Sequence, residues 1–320
     1  MNFHLVKIPL ASGTKAWALW LALASALPGT SAAASMPPDD GIAPEVRLVG
    51  YRIAVPFTMV REFPFVQGTV NGVSGKFMLD TGSRDSLVLN HHQIPMEPGQ
   101  ALGSSYYGSG QTYEIALHAQ VGPVVLGPLQ WPKVTNVTSQ DARQLERITP
   151  DFLGWLGYHA WDGYALKLDY RAGLATFYRR GPEDFLRGEK VLAGIPYEVR
   201  RLDNNPIISV TVGGVEFQTV LDTGQYGMLF TDAATQSRLE NGGWLKRSPV
   251  DPEAFDLSGI ELPGGMQVAV PRIPVEHGVF PAAAGLGLES PNILSIGYGL
   301  LQQYKTVWDF PNRKIYFLQR

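Results

Sequence analysis

The sequence predicts an all-β chain built as two matched lobes, and three observations carry that expectation. Short apolar runs are punctuated by glycine and proline, as in Val121-Gly122-Pro123-Val124-Val125-Leu126-Gly127-Pro128, which is the pattern of strands joined by turns. Candidate helices are few: Gln140 to Arg147 and Ala233 to Glu240 could each form two turns, and neither has a long amphipathic stripe. The third observation is a duplication. Phe77-Met78-Leu79-Asp80-Thr81-Gly82-Ser83 is echoed by Thr219-Val220-Leu221-Asp222-Thr223-Gly224-Gln225. About one chain of this length in twenty carries Asp-Thr-Gly by chance, and two copies, both preceded by aliphatic strand-like residues, are about a hundredfold rarer.

The repeat extends beyond these tripeptides. Gly72 and Gly214 share the 142-residue offset of Asp80 and Asp222. Further on, Gly157-Tyr158 matches Gly297-Tyr298, Leu168-Asp169-Tyr170 matches Trp308-Asp309-Phe310, and Phe177 matches Phe317, each at an offset of 140. A near-constant offset in fixed order predicts two copies of one supersecondary plan.

At the N-terminus, Lys7 and Lys15 precede and border an apolar run from Ala16 to Leu27, and Ser31-Ala32-Ala33-Ala34 offers small residues for cleavage after Ala34. Residues 1–34 therefore read as a signal peptide; the run is short for a membrane span. Residues 35–45 read as a linker, 46–184 as the N-terminal lobe and 191–320 as the C-terminal lobe, with the boundary between Gly181 and Gly194. The expected location is periplasmic or secreted, with no stable membrane span once the signal is removed. The chain has no cysteine, which excludes disulfides and a thiol nucleophile. A formal net charge of −3 without a basic block points away from nucleic acid.

Chemically, two carboxylates brought face to face can share a proton, so that one serves as acid while the other serves as base. Each aspartate must then sit where a strand stops and the backbone turns sharply. Gly82 and Gly224 permit close backbone approach, and the short Thr81 and Thr223 hydroxyls suit hydrogen bonds that hold the loops.

These residues resemble the aspartic peptidases of the pepsin-like and retroviral type, over roughly residues 46–320. Phe77-Met78-Leu79-Asp80-Thr81-Gly82-Ser83 with Ser86-Leu87-Val88 is similar to the family's first active-site signature. Trp155-Leu156-Gly157 and Ser295-Ile296-Gly297 resemble its hydrophobic-hydrophobic-Gly element, which passes beneath the active-site strand. Thr306-Val307-Trp308-Asp309-Phe310 with Ile315-Tyr316-Phe317 resembles its closing hairpin, and Tyr107-Gly108-Ser109-Gly110 the tip of its flap. The resemblance implies a two-lobed pepsin-like acid-protease fold. Each lobe would be a small closed barrel-like unit, related to the other by a pseudo-twofold axis. It also implies a monomeric endopeptidase with Asp80 and Asp222 as catalytic pair and a polypeptide substrate. Tyr107 and Gly108 would lie over that substrate, and no metal or cofactor would be required.

One position departs from the pattern. Ser83 matches the hydroxylic residue that follows Asp-Thr-Gly in the family and bonds a carboxylate oxygen, whereas its counterpart is Gln225. A lost bond to the carboxylate would raise the pKa of Asp222. The alternative reading is a catalytically weak or inactive relative that binds peptides or another envelope component in the same cleft. Arg84 and Asp85 read equally as subsite walls or as a salt-bridged loop. His91 and His92 read as a surface loop without the ligand spacing of a metal site, and Trp155, Trp161 and Trp308 as core or cleft wall.

Overall fold

The computed structural model describes residues 46–107, 111–289 and 291–320. The expected signal peptide and linker, and Gly108 to Gly110 of the flap-like turn, lie outside these residues. Strands make up 47% of the structure and helices 10%, so sheets and the loops between them must position any site. Among the described residues, no helix is long and apolar enough to cross a membrane.

Each half contains a hairpin closed by a two-residue turn. Phe63–Val70 pairs antiparallel with Val73–Leu79, closing at Val70 opposite Val73, and Ile207–Val212 pairs with Val215–Leu221, closing at Val212 opposite Val215. The turns are Asn71-Gly72 at φ 51° and 81° and Gly213-Gly214 at φ 57° and 73°. Two consecutive left-handed residues make the turn whose twist matches paired strands. The repeated glycines Gly72 and Gly214 are explained by that turn.

The second strand of each hairpin runs into an Asp-Thr-Gly loop, and the chain leaves the loop through Leu87–Asn90 or Gly227–Phe230. A later strand inserts between the two. Phe152–Leu156 lies parallel to Val73–Leu79 and antiparallel to Leu87–Asn90, with Leu156 opposite both Leu79 and Leu87. Ile293–Ile296 repeats this, with Ile296 opposite both Leu221 and Gly227. The hydrophobic-hydrophobic-Gly elements are thus hydrogen-bonded between the strands that flank each loop. Every residue of both inserted strands is buried, which explains their near-continuous apolar character.

Around these centres the chain forms three sheets, of ten, eight and six strands. Among the described residues the pairing paths of the two larger sheets end on unjoined edge strands, so the closed barrels expected from the sequence are open, half-barrel sheets. The six-stranded sheet has a composition the lobe boundaries did not anticipate. Its order is Arg52–Pro56, Leu174–Tyr178, Ala165–Asp169, Lys305–Asp309, Lys314–Leu318, Val191–Pro196. Three strands come from each half, and the order reads the same from either edge. At the centre, Lys167 faces Val307 and Leu166 faces Trp308. The C-terminal hairpin therefore closes a sheet common to both halves.

The helix expected over Gln140 to Arg147 is replaced by the end of strand Val134–Gln140 and one 3-10 turn at Leu145–Arg147. Ladder bonds to Leu87–Asn90 and the donation from Ala142 N–H to Asn90 Oδ1 at 3.0 Å hold this stretch extended. The other expected helix forms at Ala233–Asn241, capped by Asp232, which accepts from Thr235 N–H at 2.7 Å. Trp155, Trp161 and Trp308 are fully buried core residues. The largest apolar cluster runs unbroken from Val46 to Phe317 through both halves.

Leu166 is buried at the centre of the shared sheet, opposite Trp308. Leu166→Ala is expected to cost about 2–5 kcal/mol and to lower the melting temperature of one common transition. Thermal unfolding followed by circular dichroism checks both.

Candidate active site

The two Asp-Thr-Gly loops meet. Each aspartate is anchored by its backbone to the inserted strand of its own half: Asp80 N–H donates to Leu156 O at 3.1 Å and Asp222 N–H to Ile296 O at 2.9 Å. One residue later the halves exchange bonds. Thr81 N–H donates to Thr223 Oγ1 and Thr223 N–H to Thr81 Oγ1, both at 3.0 Å, and Thr223 Oγ1 donates to Leu79 O at 2.9 Å. The expected loop-holding role of both threonines is realised as a link between halves.

The glycines follow for a steric reason. Neither Gly82 nor Gly224 has a positive φ. A Cβ on Gly82 would lie 2.4 Å from Asp222 Oδ2, and one on Gly224 would lie 2.5 Å from Asp80 Oδ1. Each glycine thus makes room for the carboxylate of the opposite half.

Both carboxylates are buried, Asp80 at 0% and Asp222 at 2% exposure, and their donors are backbone amides. Gly82 N–H points at Asp80 Oδ1 (2.8 Å) and at Asp222 Oδ1 (3.1 Å). Ser83 N–H adds a bond to Asp80 Oδ1 at 3.2 Å, and Gly224 N–H one to Asp222 Oδ1 at 2.7 Å. Asp80 Oδ2 has no partner among the described residues.

Burial drives the Asp80 carboxyl well above the usual range. The charge of Asp222 and a hydrogen bond to it push the same way, against the Gly82 and Ser83 amides. Burial also raises Asp222, to about 6, against the Gly224 amide, the bond from Asp80 and the Gly82 amide. Two such groups retain one proton between them over a pH range in which isolated carboxylates are ionised.

Ser83 and Gln225 are alike in their backbones and different in their side chains. Ser83 O accepts from Tyr158 N–H at 2.8 Å and Gln225 O from Tyr298 N–H at 2.9 Å. Ser83 Oγ accepts from Trp155 Nε1 at 2.8 Å. In the second half Ser295 stands where Trp155 stands in the first, opposite the corresponding strand residues. The small residue and the large one have changed places between loop and inserted strand. Gln225 is buried, and its Oε1, like Ser295 Oγ, has no partner among the described residues.

Tyr107 follows strand Gln100–Tyr106 and donates its N–H to Gln111 O at 2.9 Å. Its hydroxyl accepts from Gln140 Nε2. Its ring is buried 4.6 Å from that of Tyr113, within a cluster that includes Met78, Val88 and Trp155. Gly108 lies outside the described residues. Arg84 Nε is 3.4 Å from Asp203 Oδ1 in the other half, and Asp85 accepts from Thr138 Oγ1 at 2.8 Å. Both contacts fit the reading of Arg84 and Asp85 as a bonded loop. Glu62 and Arg272 form a second ion pair between halves, at 2.8 Å, and the Arg272 guanidinium lies 5.1 Å from the Tyr226 ring centre.

His91 and His92 are exposed, with His92 paired to Glu146 at 2.7 Å. His118 and His91 both reach Ser139 Oγ, at 2.7 and 3.0 Å. Among the described residues, no three His, Cys, Asp or Glu side chains gather as a metal site.

One residue at the loops had no signal in the sequence. Asn204, fully buried, donates from Nδ2 to Thr81 O at 3.0 Å and Gly82 O at 2.9 Å. It lies outside both repeated motifs, and nothing in Asp203-Asn204-Asn205-Pro206 separates it from an ordinary turn. No family model and no curated protein matches this chain.

Two outcomes follow from this geometry. Gly82→Ala forces a methyl group against the Asp222 carboxylate; it is expected to destabilise the protein by about 1–3 kcal/mol, measured by urea unfolding. The second concerns pH. A carboxyl whose folded pKa is raised stabilises the fold below its unfolded value and loses that contribution as pH rises through the folded one. Stability is therefore expected to fall as pH rises from about 4 through about 6. Asp222→Asn should flatten that slope when unfolding is repeated across the range.

Proposed function

We propose that the chain is an aspartic endopeptidase on a two-lobed, pepsin-like fold, in which Asp80 and Asp222 hydrolyse a peptide bond with one activated water. The observation that carries this reading is the carboxylate pair itself. Two Asp-Thr-Gly loops from matching strand plans are tied by reciprocal threonine bonds, with one amide, Gly82 N–H, serving both carboxylates. The raised pKa values favour a singly protonated pair. Its ionised member would take a proton from water as that water attacks the carbonyl carbon. Its protonated member would donate its proton to the developing oxyanion. On collapse of the tetrahedral intermediate, the member that took the water's proton would pass it to the leaving nitrogen while the other recovers a proton from the intermediate's hydroxyl. No covalent intermediate forms in this scheme.

The departure at Gln225 weighs less against this reading than the sequence suggested. Both carboxylates take their donors from backbone amides, and the Ser83 hydroxyl is engaged by Trp155. A second reading, peptide binding without turnover, is favoured by the shielding of both carboxylates from solvent. The reading as an exported, monomeric protein with residues 1–34 as signal rests on the sequence alone.

Incubation of the purified protein with denatured casein between pH 3 and 8 tests both readings. Cleavage is expected in the mildly acidic to neutral range. It should fall at low pH as the pair gains its second proton and at high pH as it loses its last. Asp80→Asn and Asp222→Asn should each reduce it by at least about a hundredfold. Cleavage that survives both substitutions rejects the pair as catalytic, whereas casein bound but uncut by the parent protein favours the second reading.

A further inference from the structure

The two bonds donated by Asn204 fall on particular peptide groups. Thr81 O belongs to the peptide whose N–H is that of Gly82, which donates to both carboxylates. Gly82 O belongs to the peptide whose N–H is that of Ser83, which donates to Asp80. One side-chain nitrogen, with two protons, thus closes two chains that run from amide to carbonyl, through the peptide, and on to a carboxylate oxygen. Two carbonyls can only accept, so the amide nitrogen must face them. Asn204 Oδ1 has no partner among the described residues, which leaves the nitrogen as the polar anchor of this buried side chain.

The second half lacks the arrangement. The residue 142 positions earlier is Glu62, and its carboxylate is committed to Arg272 at 2.8 Å. No such side-chain donor among the described residues serves Thr223 O or Gly224 O.

We propose that Asn204 is a positioning residue for the Asp80/Asp222 pair: its amide nitrogen orients and polarises the two peptide groups whose N–H bonds serve the carboxylates. The proposal rests on the reading of these loops as a peptidase pair. Hydrogen bonds in a chain strengthen one another in a buried setting. An N–H whose own carbonyl accepts a bond is a better donor, and better donors favour the ionised carboxylate. Other titratable groups facing the pair are Tyr113, which feels Asp80, and Tyr170, which feels Asp222. Arg84, Asp85 and Asp203 lie farther along the same loops.

The test is a titration that does not depend on turnover. Carboxyl carbons of 13C-labelled aspartate are followed by NMR against pH in the parent protein, with Asp80→Asn and Asp222→Asn assigning the signals. Asn204→Leu, which keeps volume and removes both donors, is expected to move the pair's titration upward by about half a unit to one unit. Asn204→Ser, smaller and with one donor, should give a lesser shift of the same sign. Asn205→Ala next door should leave the titration unchanged. In the casein assay, Asn204→Leu should lower kcat about tenfold, with KM nearly constant and the acidic limb of the pH profile moved upward. Unchanged titration in both Asn204 variants, with only a lower melting temperature, overturns the proposal and makes Asn204 a packing contact. A shifted titration in a protein that cuts no casein supports Asn204 as the positioning residue and counts against the peptidase reading.

Discussion

The reciprocal bonds between Thr81 and Thr223 are the constraint on which the rest of the site depends. Each threonine uses its backbone N–H and its hydroxyl at once, so neither loop can move without leaving a buried donor unpaired in the other. Such a loss costs more than the net worth of an ordinary hydrogen bond, because the orphaned group has no water to turn to. The exchange fixes the spacing of the strand ends, and that spacing forces the next residue to be glycine in both halves. With side chains absent there, each carboxylate lies against the backbone of the opposite loop, and the Gly82 amide reaches across to Asp222.

Two larger elements keep the exchange in register. The inserted strands Phe152–Leu156 and Ile293–Ile296 hold Asp80 and Asp222 by their backbone N–H groups. The six-stranded sheet, half from each part of the chain, joins the two plans at Ala165–Asp169 and Lys305–Asp309. A core continuous through both halves makes relative sliding costly, since interiors are close-packed. The burial that gives this rigidity also raises the pKa of both carboxyls, so the support of the loops and the retained proton have one physical origin.

The symmetry of the plan is broken at the two loops. Ser83 with Trp155 is answered by Gln225 with Ser295, an exchange of volumes between neighbouring positions. Asn204 serves the loop of Asp80, while the matching position, Glu62, is turned to an ion pair with Arg272. A duplicated scaffold thus presents two carboxylates in inequivalent surroundings.

Much of this was legible in the residues. The β character, the helix at Ala233, the offset repeat and the meeting of Asp80 with Asp222 follow from local pattern, because turn chemistry and strand alternation are short-range and a repeated motif implies a repeated place in the fold. The need for Gly82 and Gly224 was also readable as close backbone approach, and the group that approaches each is the opposing carboxylate. Other features were decided only in three dimensions. The sharing of one sheet between halves, the open edges of the larger sheets and the strand that replaced a helix at Gln140 depend on which distant segments pair. Asn204 and the partner of Ser83 depend on side chains 123 and 72 residues away from the atoms they touch. One sequence records which groups are present and how they are spaced along the chain. Convergence of two such groups on one oxygen is set by packing between segments far apart in that chain, and therefore by the tertiary structure alone.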